Sequence, residues 1–254
     1  MAKKKESRKV AIEAVRTSRK RLLTNESPLA IKEAYVKLRT SWMFCMTADK
    51  ERPCTSFAVT SAKPSEGKSL TAANIAISYA MLGKKVLLID ADMRKPTQRR
   101  LWRVEKPTGL CDFLAKISKL ELDKVKDLPL WIVCTGTIPP NPSELLSSER
   151  MKHFVEESAK VYDYIIIDTP PINTVADAQI VSTYVDGVVL VVKSGDTTED
   201  ELNEAIDAVR RAGGNLCGTV LNDLNIKSVK YAYKYKYGGK YGYKYSYSES
   251  YEAR

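Results

Sequence analysis

Histidine is nearly absent from these 254 residues: His153 is the only one. The five cysteines, at 45, 54, 111, 134 and 217, are scattered and include no C-x-x-C pair. Together these absences argue against a zinc centre and against a disulfide framework, and the thiols read as isolated buried side chains. No run of about 18 apolar residues occurs, so no segment is expected to span a membrane. The start, "MAKKKESRKV", is basic but no apolar stretch follows it, which argues against a secretory signal and favours the cytoplasm.

Acidic charge is scarce at both ends. Residues 1–22 hold nine Lys/Arg against two Glu, and residues 227–254 hold seven against two. The 204 residues between them carry 25 basic and 27 acidic side chains, so the body is close to neutral. That distribution argues against a nucleic-acid groove built into the fold. It leaves the ends able to meet lipid headgroups, RNA or an acidic protein surface.

What is present is a regular alternation of apolar runs and helical patterns. "LAIKEAYVKLRTSWMFCM" (29–46) has helical spacing. Strands are expected over 55–61, 84–92, 130–136, 164–170, 187–194 and 215–223. Helices are expected over 67–82, 109–117, 148–162, 175–185 and 198–213, the first of them ended by Gly83. "VLLI" and "YIII" are apolar at successive positions, as befits strands covered by helices on both faces. The reading is an α/β protein with a doubly wound, mostly parallel sheet. It divides into a basic arm (1–28), a folded body (29–226) and a tail (227–254).

"SAKPSEGKS" (61–69) follows a strand and opens a helix. It matches the phosphate loop G-x-x-x-x-G-K-[ST] except that Ala62 replaces the first glycine. Amide groups around Glu66, Gly67 and Lys68 can face phosphate oxygens at the helix N-terminus. Lys68 is the candidate for the β- and γ-phosphates and Ser69 a candidate Mg²⁺ ligand. Two apolar strands end in acids, "VLLIDAD" in Asp90 and Asp92 and "YIIIDTPP" in Asp168. Carboxylates at buried strand tips need a cation nearby, and Mg²⁺ carried by a nucleotide would supply it. Helix capping is the plainer alternative for these acids, and it suits Asp168 least because Thr169, Pro170 and Pro171 follow.

The tail "YAYKYKYGGKYGYKYSYSESY" holds nine of the fourteen tyrosines: Tyr231, Tyr233, Tyr235, Tyr237, Tyr241, Tyr243, Tyr245, Tyr247 and Tyr251. A hairpin about Gly238 and Gly239 would leave a row of exposed phenols, so the composition favours a disordered strip. Such a strip of 28 residues reaches about 29 Å on average. Three functions compete. A regulator ATPase uses the phosphate loop and leaves the tail idle; an RNA- or single-strand-binding module uses the tail and leaves the loop idle. A kinase acting on its own tail uses both. For that reaction a base must take a phenolic proton of pKa near 10, and Asp90 and Asp92 are the candidates.

Six motifs in order resemble the bacterial tyrosine kinases of the capsule and exopolysaccharide type, in their freestanding form. They are "KEAYVKLRT", "SAKPSEGKS", "LLIDADMRKP", "GTIPPNPSELLSS", "YIIIDTPP" and the tyrosine cluster. The resemblance implies a P-loop fold related to the spatial-regulator ATPases, with a deviant phosphate loop. It implies ATP and Mg²⁺ as cofactors and transfer of the γ-phosphate to tail tyrosines of neighbouring subunits in a ring. A membrane adaptor as activator, a cognate phosphotyrosine phosphatase and a place at the inner face of the plasma membrane are implied likewise. Nucleotide binding falls to Ala62, Lys63, Pro64, Ser65, Glu66, Gly67, Lys68, Ser69, Leu70 and Asn222; catalysis to Lys68, Asp90, Asp92 and Asp168; the metal to Ser69 and the same three acids. Glu33 and Arg39 match the family's ring-interface motif, but Val36 stands where its middle arginine belongs. Lys63 occupies the position of a lysine that crosses to a partner subunit in the related ATPases; a solvated loop residue is the preferred reading. Arg94 is open to phosphate contact or a surface ion pair.

Overall fold

The computed structural model describes residues 21–45 and 54–224, with only the backbone of Met43 and Phe44. The basic arm through residue 20 and the tail tyrosines therefore lie outside the described residues. The strands are β1 (Thr55–Ser61), β2 (Val86–Asp90), β3 (Asp123–Lys124), β4 (Leu130–Val133), β5 (Tyr164–Asp168), β6 (Gly187–Lys193) and β7 (Leu216–Asn222). The helices are α1 (Leu29–Cys45), α2 (Lys68–Ala80), α3 (Gln98–Trp102), α4 (Leu110–Leu114), α5 (Pro142–Ser147), α6 (Glu149–Ala159), α7 (Asp177–Ser182) and α8 (Glu199–Arg211).

The seven strands lie in the order β3-β4-β2-β5-β1-β6-β7. Every pairing is parallel except that of β3 with β4 at one edge. Because successive side chains of a strand face opposite ways, each apolar run feeds two cores. Leu87 and Ile89 join Ile165, Ile167, Val188 and Leu190 under α4 to α8. Val86 and Leu88 join Phe57, Val59, Ile166 and Val189 under α2, with Trp42 of α1 beside them. This is why β2 and β5 carry no polar residue before their terminal aspartates. The expected doubly wound parallel sheet is present.

The register carries the functional consequence. Asp90 and Asp168 are direct partners across β2 and β5, and β1, which leads into the phosphate loop, lies on the other side of β5. Three chain segments that are far apart in sequence thus end at one sheet edge, where α/β proteins bind ligands.

Several expectations need correction. β2 ends at Asp90 rather than residue 92, so Asp92 sits in the turn beyond the strand. α3, α5 and the edge strand β3 were not expected; at five, six and two residues they are too short to show a period. Of the free cysteines, four are buried as expected but Cys45 is exposed. Among the described residues no helix is long and apolar enough to cross a membrane.

Candidate nucleotide site at the strand tips

The loop after β1 is held open by its own polar groups. Ser61 Oγ donates to the Lys63 carbonyl at 2.9 Å, and Lys63 N–H donates to Glu66 Oε2 at 3.0 Å. Glu66 is fully buried, and its other carboxylate oxygen accepts from the Thr197 hydroxyl. Both of its carboxylate oxygens are therefore partnered. Two residues adopt left-handed backbone, Ser65 at φ 70° and Gly67 at φ 93°. A Cβ at Gly67 would lie 2.0 Å from Asn222 Nδ2, which donates to the Glu66 carbonyl at 2.9 Å. Gly67 is required twice over, by its dihedral and by the space that Asn222 fills. Ala62, by contrast, is buried at the loop's start without needing glycine's freedom.

Immediately after Gly67, α2 starts with no side-chain cap and no acid in its first turn. The first amide groups of a helix lack internal partners and carry partial positive charge. An anion is the natural complement. Pro64 and Ser65 are exposed at the loop's crest, and Leu70 is half-buried in the first turn of α2.

Behind the loop lies a buried charge cluster. Lys68 Nζ contacts Asp92 Oδ2 at 2.8 Å and lies 3.6 Å from Asp168 Oδ1 and 3.3 Å from Ser69 Oγ. Burial alone would pull the lysine's pKa down, but Asp168 and Asp92 carry it above the ordinary value, so it stays charged. Asp92 Oδ1 accepts from the Lys95 amide at 2.9 Å, so both of its oxygens are partnered. Asp90 Oδ2 accepts from the amides of Thr97 and Gln98 at 3.1 and 2.9 Å. Burial, then the facing charge of Asp168, pushes Asp90 up to about 8. Asp168 is raised as well, first by its own burial.

The pocket fits a cation brought in by a ligand. Asp90 Oδ1 is buried without a hydrogen-bond partner, which is costly unless something positive meets it, and Asp168 Oδ1 has only the Lys68 ammonium at 3.6 Å. Among the described residues no group of three or more His, Cys, Asp or Glu side chains suffices to hold a metal ion. Mg²⁺ does not need one, since it is usually bound by one or two carboxylates together with phosphate oxygens.

Gln98 was missed from the sequence. It is fully buried. Its amide nitrogen donates to the Ser69 carbonyl at 2.9 Å and to Asp168 Oδ2 at 2.8 Å, and its oxygen accepts from Trp102 Nε1 at 2.9 Å. One side chain thereby ties the start of α2 to the tip of β5. The only sequence signal was an uncharged amide eight residues beyond Asp90.

Other candidates fall elsewhere. Lys63 is not a solvated loop residue: Nζ donates to the Asp196 carbonyl at 2.8 Å and to Glu201 at 3.0 and 3.2 Å. Those two contacts hold the phosphate loop to the start of α8. Arg94 takes the ion-pair alternative, binding the fully buried Asp177 at 2.9 and 3.2 Å and Ser143 Oγ at 3.2 Å. Arg39 donates to the carbonyl and hydroxyl oxygens of Ser78 at 2.7 and 3.0 Å, while Glu33 is exposed on α1.

Residues 55–215 match a protein family described as AAA domain. The chain is 43% identical to tyrosine-protein kinase YwqD of Bacillus subtilis (strain 168) over 204 residues, covering 79% of this chain and 85% of that protein. The crystal structure of the chimerical protein CapA2B2 superposes with a TM-score of 0.75 at 36% identity, over 81% of this chain and 90% of that one. The MinC:MinD cell division complex of Aquifex aeolicus is a more distant likeness, with a TM-score of 0.58 at 26% identity over 70% of this chain and 72% of that one.

Proposed function

The chain belongs to the bacterial tyrosine-protein kinases, and from that premise we propose that it moves the γ-phosphate of ATP onto the tyrosines of its own tail, in neighbouring subunits. The observation that carries the reading is the pairing of Lys68 with Asp92 and Asp168 directly behind a bare helix N-terminus, in a chain that also holds nine clustered tyrosines.

The amides of the 62–70 loop and Lys68 cradle the phosphates. Delivering Lys68 Nζ to them takes it off Asp92, which keeps only the Lys95 amide as partner. A carboxylate so released is placed to accept the phenolic proton, the general-base role. Asp90, with its unpartnered oxygen, Asp168, whose Oδ1 is freed when Lys68 moves to the phosphates, and the Ser69 hydroxyl would hold Mg²⁺. When bound, that ion supplies charge neutralisation across the transferred group. Asn222 fixes the loop through the Glu66 carbonyl and so shapes the nucleotide site from behind.

Regulation follows from charge. Each phosphate adds about −1.5 to −2, so full modification takes the tail from about +5 to about −8 to −13. Contacts between subunits, or with an adaptor at the inner face of the membrane, would switch from attraction to repulsion, and polymer synthesis and export would follow that cycle. A phosphatase resets it. The exposed Glu33 and the α1 face around Arg39 are the proposed subunit contact.

Incubation with ATP, Mg²⁺ and an activating adaptor segment should yield phosphotyrosine on an immunoblot, with mass mapping to residues 231–251. Nucleotide turnover without any phosphotyrosine would remove the kinase reading of the tail.

A further inference from the structure

Away from the strand tips, the turn after α4 and the start of α6 form an open depression of about 460 Å³ lined by Phe113, Lys116, Ile117, Ser118, Lys119 and Arg150, with Leu120 at its edge. Its walls contain three cations and no acid. None of the three is ion-paired with a carboxylate among the described residues. The Arg150 guanidinium lies over the Phe113 ring at 4.2 Å, and Phe113 is braced edge-on by Phe154 at 5.7 Å. Two polar atoms here are buried and unpartnered: Arg150 Nε and Ser118 Oγ. Ile117 is 73% exposed, which is unusual for so large an apolar side chain.

The turn is built firmly. Lys116 adopts φ 63°, and the amides of Ile117 and Ser118 both donate to the Asp112 carbonyl at 2.8 and 3.2 Å. Asp112 itself is anchored by the amides of Gly109 and Thr137 at 2.8 and 3.0 Å. An exposed isoleucine between two lysines on an anchored turn is a presented surface.

We propose that this depression binds a phosphotyrosyl side chain carried on a peptide. An anionic ligand complements the three cations that line the depression, which have no ion pair among the described residues. It should offer an apolar body as well, because Ile117 would otherwise stay wet. A phosphate offers several acceptor oxygens to the Arg and Lys donors, the arrangement by which arginine-centred sites read phosphorylated motifs. A ring needs a cavity of about 150 Å³, which leaves room for the phosphate; an Asp or Glu side chain would reach the cations without filling the space. A bilayer surface fits less well, since a flat layer of headgroups does not fill a concave depression. For the source of its ligand this inference rests on the kinase reading above. The binding itself needs neither ATP nor turnover, so either can fail alone.

The test titrates the full chain with a synthetic Gly/Ser/Lys peptide bearing one phosphotyrosine, read by fluorescence anisotropy. The same peptide with unmodified tyrosine, and vesicles of anionic and neutral phospholipid, serve as comparisons. The phosphorylated peptide should bind at least about tenfold tighter than the unmodified one, because charge-assisted hydrogen bonds are lost without the phosphate. Lys116→Glu with Lys119→Glu, and separately Arg150→Ala, should each weaken it at least about tenfold. Lys68-dependent labelling should be unchanged in the double lysine variant, showing that it is folded. Equal binding of the two peptides, binding insensitive to both variants, or binding of anionic vesicles alone would overturn the assignment.

Discussion

Asp90 is a residue whose burial makes a measurable demand. In the folded chain without nucleotide it is pushed up to about 8, chiefly by burial and next by Asp168. The unfolded chain releases the same proton near pH 4. The folded state therefore holds more protons between about pH 4 and about 8, and stability must fall as pH rises through that window. Asp168, also raised, acts with the same sign. The melting temperature of the nucleotide-free chain should decline from pH 5 to pH 8, and Asp90→Asn should flatten the decline; a rising melting temperature over that range would refute the buried-acid description. Gln98 makes the complementary prediction. Gln98→Leu strips partners from Ser69 O, Asp168 Oδ2 and Trp102 Nε1 at once, so it should cost about 2–5 kcal/mol in denaturant unfolding and shift the Trp102 fluorescence. The candidate acids and Lys68 were legible because carboxylates ending apolar strands need partners, although Asp90 also takes the capping role, accepting from the first amides of α3. Gln98 was not, because its partners lie 29 and 70 positions away and only the strand register brings them together.

Among the elements, the β1–loop–α2 unit depends most on backbone shape. Gly67→Ala places a methyl against Asn222 and forces a left-handed alanine, a strain of about 1–2 kcal/mol before any overlap. Nucleotide affinity should fall by about tenfold or more. Gly67→Ala with Asn222→Gly removes the overlap but not the dihedral cost, so it should recover only part of the loss. Full recovery would show that the dihedral does not matter. The loop is also tied sideways to α8, whose N-terminus has a capping box between Thr198 and Glu201, with Lys63 on the same Glu201. Thr198→Ala should destabilise the chain by about 1 kcal/mol and weaken nucleotide binding through Lys63; an unchanged affinity would mean that the tie is not used. β2, β5 and β6 could be read from sequence because strands buried on both faces carry unbroken apolar runs. α3 and α5 could not, since a helix of one or two turns shows no period, and the two-residue β3 exists only as a partner for β4.

At the scale of the whole molecule, the body is nearly neutral and its candidate site lies at one sheet edge, while the net positive charge lies in the two ends. That separation was visible in the sequence, as was the cluster of tyrosines, because composition needs no fold to be read. Which surfaces would join the proposed subunits was not: Arg39, a candidate contact, is engaged with Ser78 inside its own chain, and no periodicity announces such a choice. The account requires that one chain's strand-tip site act on another chain's tail. Two variants isolate this step, one with Lys68→Met and all nine tail tyrosines, the other with an intact site and all nine changed to Phe. Mixed with ATP, Mg²⁺ and the activating segment, they should place phosphate on the tail of the Lys68→Met chain, which alone stays unlabelled. A mixture that consumes nucleotide yet leaves that tail bare would contradict the account.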